Sequence, residues 1–211
     1  MSEETAVSQE KFNSQKTMLV PQDTYLKSGI HIGTKFKTKY MERFIYKTRP
    51  DGLSVLNLTQ IDERIKIASN FMSKYAPEDI LVFSRRENGW KPLKALNKAT
   101  GMRVIPGRYN PGMLTNIQLD TFTEAKCILV ADAWPDRNSV KDALKIGIPV
   151  VALCDTNNQT NDLDLVVPCN NKGKKSLGLF FWILTREYLK HRGIIKSDEE
   201  FKLPLEDFTE E

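Results

Sequence analysis

A chain of 211 residues with 40% hydrophobic and 27% charged side chains is long enough to bury one core without disulfides or metals, and its composition excludes a collagen, a coiled coil or a wholly disordered chain. No stretch reaches the roughly 18 uninterrupted apolar residues of a membrane helix, and the polar start MSEETAVSQEKFNSQ lacks a signal peptide's apolar stretch, so a cytoplasmic protein with no membrane partner is expected. The net charge of +4 is uneven: residues 197–211 set seven carboxylates against Lys202 alone, a sum of −6 that leaves +10 to the rest; charge alone reads first as an aid to solubility, and a basic body with an acidic end also suggests a polyanionic partner for the body.

Residues 1–20 hold few apolar anchors and no sustained period, which predicts a flexible arm. Asp23 is placed to cap a short helix through Ser28, closed by Gly29, since glycine takes the left-handed conformation without a Cβ clash. The next stretch, GIHIGTKFKTKY, reads as a basic loop carrying His31, Lys35, Lys37 and Lys39. Short strands are predicted over 43–47 and 53–58 around the turn Arg49-Pro50-Asp51-Gly52, which adds Arg43 and Arg49 to the basic region. Thr59 is read as the cap of a helix to about residue 75, in which Ile61, Ile65, Ala68 and Met72 share one face. A strand over 80–83, a helix over 90–100 and a strand over 103–105 follow. Continuous apolar runs over 127–131 and 149–153 flank a helix over 138–146. A strand over 163–167 and a long helix over 175–192, stopped by Gly193, complete the series. Such runs fit strands covered on both faces. The alternation implies right-handed crossovers, hence an α/β domain over 21–193 with an open parallel sheet and helices on both faces. A flexible acidic tail is expected over 194–211.

Cys127, Cys154 and Cys169 are odd in number and widely separated, so they read as small core hydrophobes. With only His31 and His191 besides, neither a zinc cluster nor a histidine pair for proton transfer has its ligands, and no metal or cofactor is expected. An open α/β sheet is also a common home of nucleotide enzymes, but no G-x-G-x-x-G follows a strand and no G-x-x-x-x-G-K-[ST] occurs. Asp132 and Asp155, each after an apolar run, are the one pair able to share a Mg²⁺ ion. They define the enzyme alternative, against the plainer role of capping a helix or bracing a turn.

The loops after the strands, where open sheets carry function, are instead basic and rich in asparagine. Arg85 and Arg86 follow one strand; Arg108, Tyr109 and Asn110 another; Arg137 and Asn138 a third; Asn170, Asn171, Lys172, Lys174 and Lys175 the last. Guanidinium groups match phosphate in two bonds, and asparagine reaches sugar hydroxyls and base edges. Lys172 also lies near a helix start, whose free amides favour an anion. His31, between Ile30 and Ile32, is a candidate RNA contact or a packed histidine. Trp182, inside FFWIL, reads as core, and Trp90 and Trp134 are expected to pack rather than stack on bases.

Taken in order, SGIHIGT at 28–34, GRYNPGMLTN at 107–116, GIPVVALCDTNN at 147–158 and DLVVPCNNKG at 164–173 resemble the signatures of the ribosomal protein S-two family, across most of the chain. Met113 stands where a threonine is usual and Ala133 where a proline commonly follows the aspartate. The chain lacks the coiled-coil insertion of the bacterial form and the long extension of the eukaryotic form, so it resembles the archaeal type. The resemblance implies a flavodoxin-like α/β domain in the small ribosomal subunit, binding ribosomal RNA near the junction of head and body beside other ribosomal proteins. Neither catalysis nor a small-molecule substrate is implied. The RNA-contacting set is then expected to comprise His31 and the basic and amide residues above other than Asn138 and Lys175, with Lys91, Thr115 and Asn116. Charge reversal at Arg85, Arg86 and Lys172 is expected to lower incorporation into subunits without unfolding the domain. Because eukaryotic relatives are also described as laminin receptors, a protein-interaction adaptor is a third reading, ranked last for want of their extension.

Overall fold

The computed structural model describes residues 18–209; most of the expected N-terminal arm, residues 1–17, lies outside them. The elements in order are α1 (Gln22–Ser28), β1 (Ile45–Thr48), β2 (Ser54–Leu56), α2 (Leu58–Ser73), β3 (Ile80–Ser84), α3 (Trp90–Thr100), β4 (Arg103–Pro106), β5 (Cys127–Val130), α4 (Arg137–Ile146), β6 (Val150–Cys154), β7 (Leu165–Pro168) and α5 (Lys174–His191). A small antiparallel ribbon, β1–β2, stands beside a five-stranded parallel sheet of order β4-β3-β5-β6-β7. The register sets Leu81 beside Arg103, Ile80 beside Cys127, Ile128 beside Val150 and Val151 beside Leu165.

This is the doubly wound order in which the chain reverses direction between its first and third strands, here β3 and β5. The crossover through α3 runs one way from β3 and that through α4 runs the other way from β5. With both right-handed, the two helices fall on opposite faces. α2, α3 and α5 share one face; α4 covers the other, joined by the 107–126 loop, where the Tyr109 hydroxyl and the Gly112 amide both donate to Asp142 at 2.9 and 3.0 Å. All residues of β3, β5 and β6 are buried, as their unbroken apolar runs require. The helical stripe of Ile61, Ile65, Ala68 and Met72 is wholly buried. All three cysteines are free and buried, and burial pushes the Cys127 thiol up to about 12.

Local expectations needed small corrections. The cap of α2 is Asn57, two residues before the expected Thr59, and its side chain accepts the Thr59 amide at 3.0 Å. Asp23 makes no side-chain cap; α1 begins after Pro21. Gly29 does close it, at φ 68°. Gly33 answers a second need, close approach: a Cβ there would meet Thr156 Cγ2 at 2.5 Å and the Ser54 carbonyl at 2.9 Å.

The acidic segment beyond α5 is held at spaced anchors with its carboxylates outward. Trp182 donates to the Leu203 carbonyl at 2.9 Å and meets the Phe201 ring edge-on, while Phe208 is buried over Gly178. Asp198 pairs with Arg186 and Lys190. Packing therefore continues past residue 193 to Phe208, because this acidic stretch carries four apolar residues, Phe201, Leu203, Leu205 and Phe208, which reach the core.

Candidate nucleic-acid interface

The carboxyl ends of the parallel strands form one rim, and the loops leaving them are tied by a continuous polar network. At the reversal point, Arg86 Nε donates to Asp132 at 2.7 Å, and the second oxygen of Asp132 accepts from Asn158 at 2.9 Å and from the Trp134 amide at 3.1 Å. Asn158 in turn accepts from the Asp155 amide at 2.9 Å and from Asn171 at 3.2 Å. Lys172 Nζ reaches Asp155 at 3.0 Å and Asn157 at 3.2 Å. Asp132 and Asp155 are 2% and 1% exposed, so each needs the cation that faces it, since an unpaired buried charge is costly.

This geometry removes the Mg²⁺ alternative: each candidate ligand already has a cation within hydrogen-bonding distance. The crevice where doubly wound sheets hold nucleotides is lined by the chain's own Arg86–Asp132 pair, and Asp136 beside it accepts the Arg85 amide at 3.1 Å. Burial raises the Asp136 carboxyl to about 6, and the nearby Asp132 adds to the rise, against the Arg85 amide and the two arginines.

Around this inner row stands an outer one. The 34–38 segment is laid over the Asp155–Asn158 loop, with the Thr34 amide on Thr156 Oγ1 at 2.9 Å and the Thr38 hydroxyl on the Asn158 carbonyl at 3.0 Å. It holds Lys35, Lys37 and Lys39 exposed, Lys37 beside Glu42 at 3.2 Å. Arg85, Arg108, Arg137 and Lys174 are likewise exposed on the loops and helix starts of the rim. The β1–β2 ribbon hangs on the same segment through the Ser54 amide to the Thr34 carbonyl. It presents Arg49 near Asp51, and just ahead of it Arg43 stacks 3.7 Å over the Tyr40 ring.

Several expected contacts have other work. Asn171 is fully buried, donating to the Leu153 carbonyl at 3.2 Å, and is withdrawn from any RNA. Asn170 accepts the Lys172 and Gly173 amides at 3.1 and 3.2 Å and so braces the start of α5. Lys91 donates to the carbonyls of Glu206 and Thr209 in the acidic segment. His31 is half-buried; burial holds its ring below the ordinary histidine range, and its carbonyl accepts the Leu56 amide at 2.8 Å. Asn110, Thr115 and Asn116 are exposed on the 107–126 loop, which the Gly112 amide ties to Asp142 of α4. The triple charge reversal is corrected too: acid at 86 and 172 would set carboxylate against buried carboxylate and disrupt the fold itself.

The sequence model for ribosomal protein S2 matches residues 25–125 and 120–190. The small ribosomal subunit protein uS2 of Nanoarchaeum equitans is 47% identical over 190 residues, 90% of this chain and 94% of that one. Those of Picrophilus torridus and Saccharolobus solfataricus are each 44% identical, over 92% and 90% of this chain and 97% and 83% of theirs. The chain belongs to the ribosomal protein S2 family. The resemblance read from the four ordered motifs is thereby correct, the relatives are archaeal, and the S2 family is one of structural ribosomal proteins rather than enzymes. In this S2 chain four exposed aromatics lie on or beside the basic region: Phe36, Tyr40 and Tyr46, which the residue-by-residue reading did not weigh, and Trp134. Trp134 was expected to pack.

Proposed function

We propose that this chain is a structural constituent of the small ribosomal subunit in the cytoplasm, holding small-subunit ribosomal RNA on the outer cationic row of the strand-end rim, beside other ribosomal proteins. The observation that carries the reading is the exposure of Lys35, Lys37, Lys39, Arg85, Arg108 and Arg137 on loops and helix starts around one edge of the sheet, outside the Arg86–Asp132 pair. Such a surface neutralises phosphates and releases counterions, so affinity falls with salt, while folded RNA is selected by shape. The acidic segment supports the same reading from the other side, because it engages Lys91, Arg186 and Lys190, which lie off the rim. No described helix is long and apolar enough to cross a membrane.

Co-sedimentation with small subunits, and filter binding of small-subunit ribosomal RNA across a salt series, test the reading together. Binding whose logarithm falls linearly with log salt, with loss on removing outer-row cations, is expected. A chain confined to free cytosolic fractions, or an affinity indifferent to salt, ends it.

A further inference from the structure

Trp134 is the one exposed tryptophan of three, at 69%. The other two spend their indole N–H groups on the carbonyls of Ser84 and Leu203 at 3.1 and 2.9 Å. Its backbone is fixed: the amide donates to buried Asp132, itself held by Arg86 and Asn158, and Pro135 follows. The ring is therefore displayed on a rigid turn rather than on a loop free to fold it away. It stands between two clefts. One, of about 300 Å³, is lined by Trp134, Arg137, Lys141, Gln159, Asn161 and Asp162 together with the apolar Ala133, Val140 and Leu163; the smaller includes Arg86 and Asn157. Arg137 and Lys141 are both exposed, four apart on α4 and hence on one face of it.

We propose that Trp134 and the larger cleft seat one unpaired nucleotide of RNA, the base stacked on the indole and the adjoining phosphates on Arg137 and Lys141. This rests on the RNA-binding reading above and names a subsite of it. Three features choose the occupant. An indole face accepts any base by stacking without reading sequence. The two cations both lie on α4, whereas Asp162, on the segment between β6 and β7, is the carboxylate of the cleft and repels phosphate, so the backbone is directed over α4 and the base inward. The amides of Gln159 and Asn161 then offer donors and acceptors to a base edge, which a base still paired in a duplex does not expose. An apolar protein side chain would cover the ring but leave these charges and amides unanswered.

The test uses the full chain and an unstructured RNA of about ten nucleotides, a length within single-strand site sizes, against a hairpin of similar length. Binding of the single strand is expected to quench tryptophan emission in the native chain but not in Trp134→Phe, which keeps the other two indoles. Trp134→Ala, a change at an exposed position that leaves the melting curve in place, is expected to weaken single-strand binding about tenfold. Replacing Arg137 and Lys141 together by alanine is expected to flatten the single-strand salt slope by about 1.4. If Trp134→Ala binds the single strand as tightly as the native chain while both bind ribosomal RNA, the subsite is wrong and the wider reading stands. If the native chain binds no RNA at all, both fall. If the indole is protected only when neighbouring ribosomal proteins are added, the ring belongs to a protein contact and the proposal is overturned.

Discussion

Arg86 and Lys172 share one rim with Arg85, Lys35 and Arg137, yet the two sets are held by opposite circumstances. The inner pair faces Asp132 and Asp155, both almost fully buried, at 2.7 and 3.0 Å. The outer set is exposed on turns and helix starts. A desolvated carboxylate requires its cation whether or not RNA is present, so inner-row charge belongs to folding. An exposed cation has no such debt and is available to phosphate. A count of basic residues along strand-end loops thus overstates the RNA surface, by the number whose partners lie inside the same fold.

The sharpest version of that comparison is between neighbours in sequence. Arg86→Ala leaves Asp132 buried without its guanidinium and is expected to cost about 3 kcal/mol of stability, the lower part of the range for a broken buried pair because Arg86 is itself 36% exposed. Arg85→Ala keeps the backbone amide on Asp136 and removes a long 3.4 Å contact to the Pro135 carbonyl and the weak attraction of an exposed guanidinium to Asp136, so a change within about 0.5 kcal/mol is expected. Urea unfolding of the two variants reads the difference. Equal losses would dissolve the distinction between the rows.

The fold was legible because its signals are local and redundant. Unbroken apolar runs at 127–130 and 150–154 announce strands covered on both faces, and the α2 stripe announces its buried side. Individual site roles were not, for a physical reason: Lys172 and Lys174 look alike in sequence, and only the crossover connections decide that Asp155 arrives beside the first. Asn171 is the plainest case, an amide in a basic loop whose partners, Leu153 and Asn158, come from a different strand end. The anchoring of the acidic segment was hidden likewise, because Phe201 and Phe208 are sparse among charges and meet α5 only after the chain turns back.

Asp136 tests whether the inner row shapes stability with pH. Its folded-state value of about 6 lies above the ordinary 3.8, so the fold retains a proton that the unfolded chain gives up between those values. Its contribution to stability is therefore fully present below pH 4 and is lost as pH rises through 6. Asp136→Asn, which has no proton to lose, is expected to remove that decline, worth on the order of 2 kcal/mol between pH 4 and 7. Urea unfolding of both proteins over that range decides it, and parallel pH profiles would show that the carboxyl titrates as an ordinary surface group.

The smallest effect on stability, and the most telling for function, is expected from the outer row. Lys35, Lys37 and Lys39 are exposed on a segment whose attachment to the rim runs through Thr34, Thr38 and the backbone, not through lysine. Lys37 has a partner, Glu42 at 3.2 Å, but both side chains are about half exposed, and such pairs add little. Replacing all three lysines by alanine is therefore expected to leave unfolding within about 0.5 kcal/mol of the native chain. The same change removes up to three phosphate contacts, and the slope of log affinity against log salt for ribosomal RNA is expected to flatten by about 2. Stability and slope are measured on one preparation, so the result discriminates cleanly. A flattened slope with intact unfolding places the lysines in the outer row, whereas lost stability with an unchanged slope would move them to the inner one.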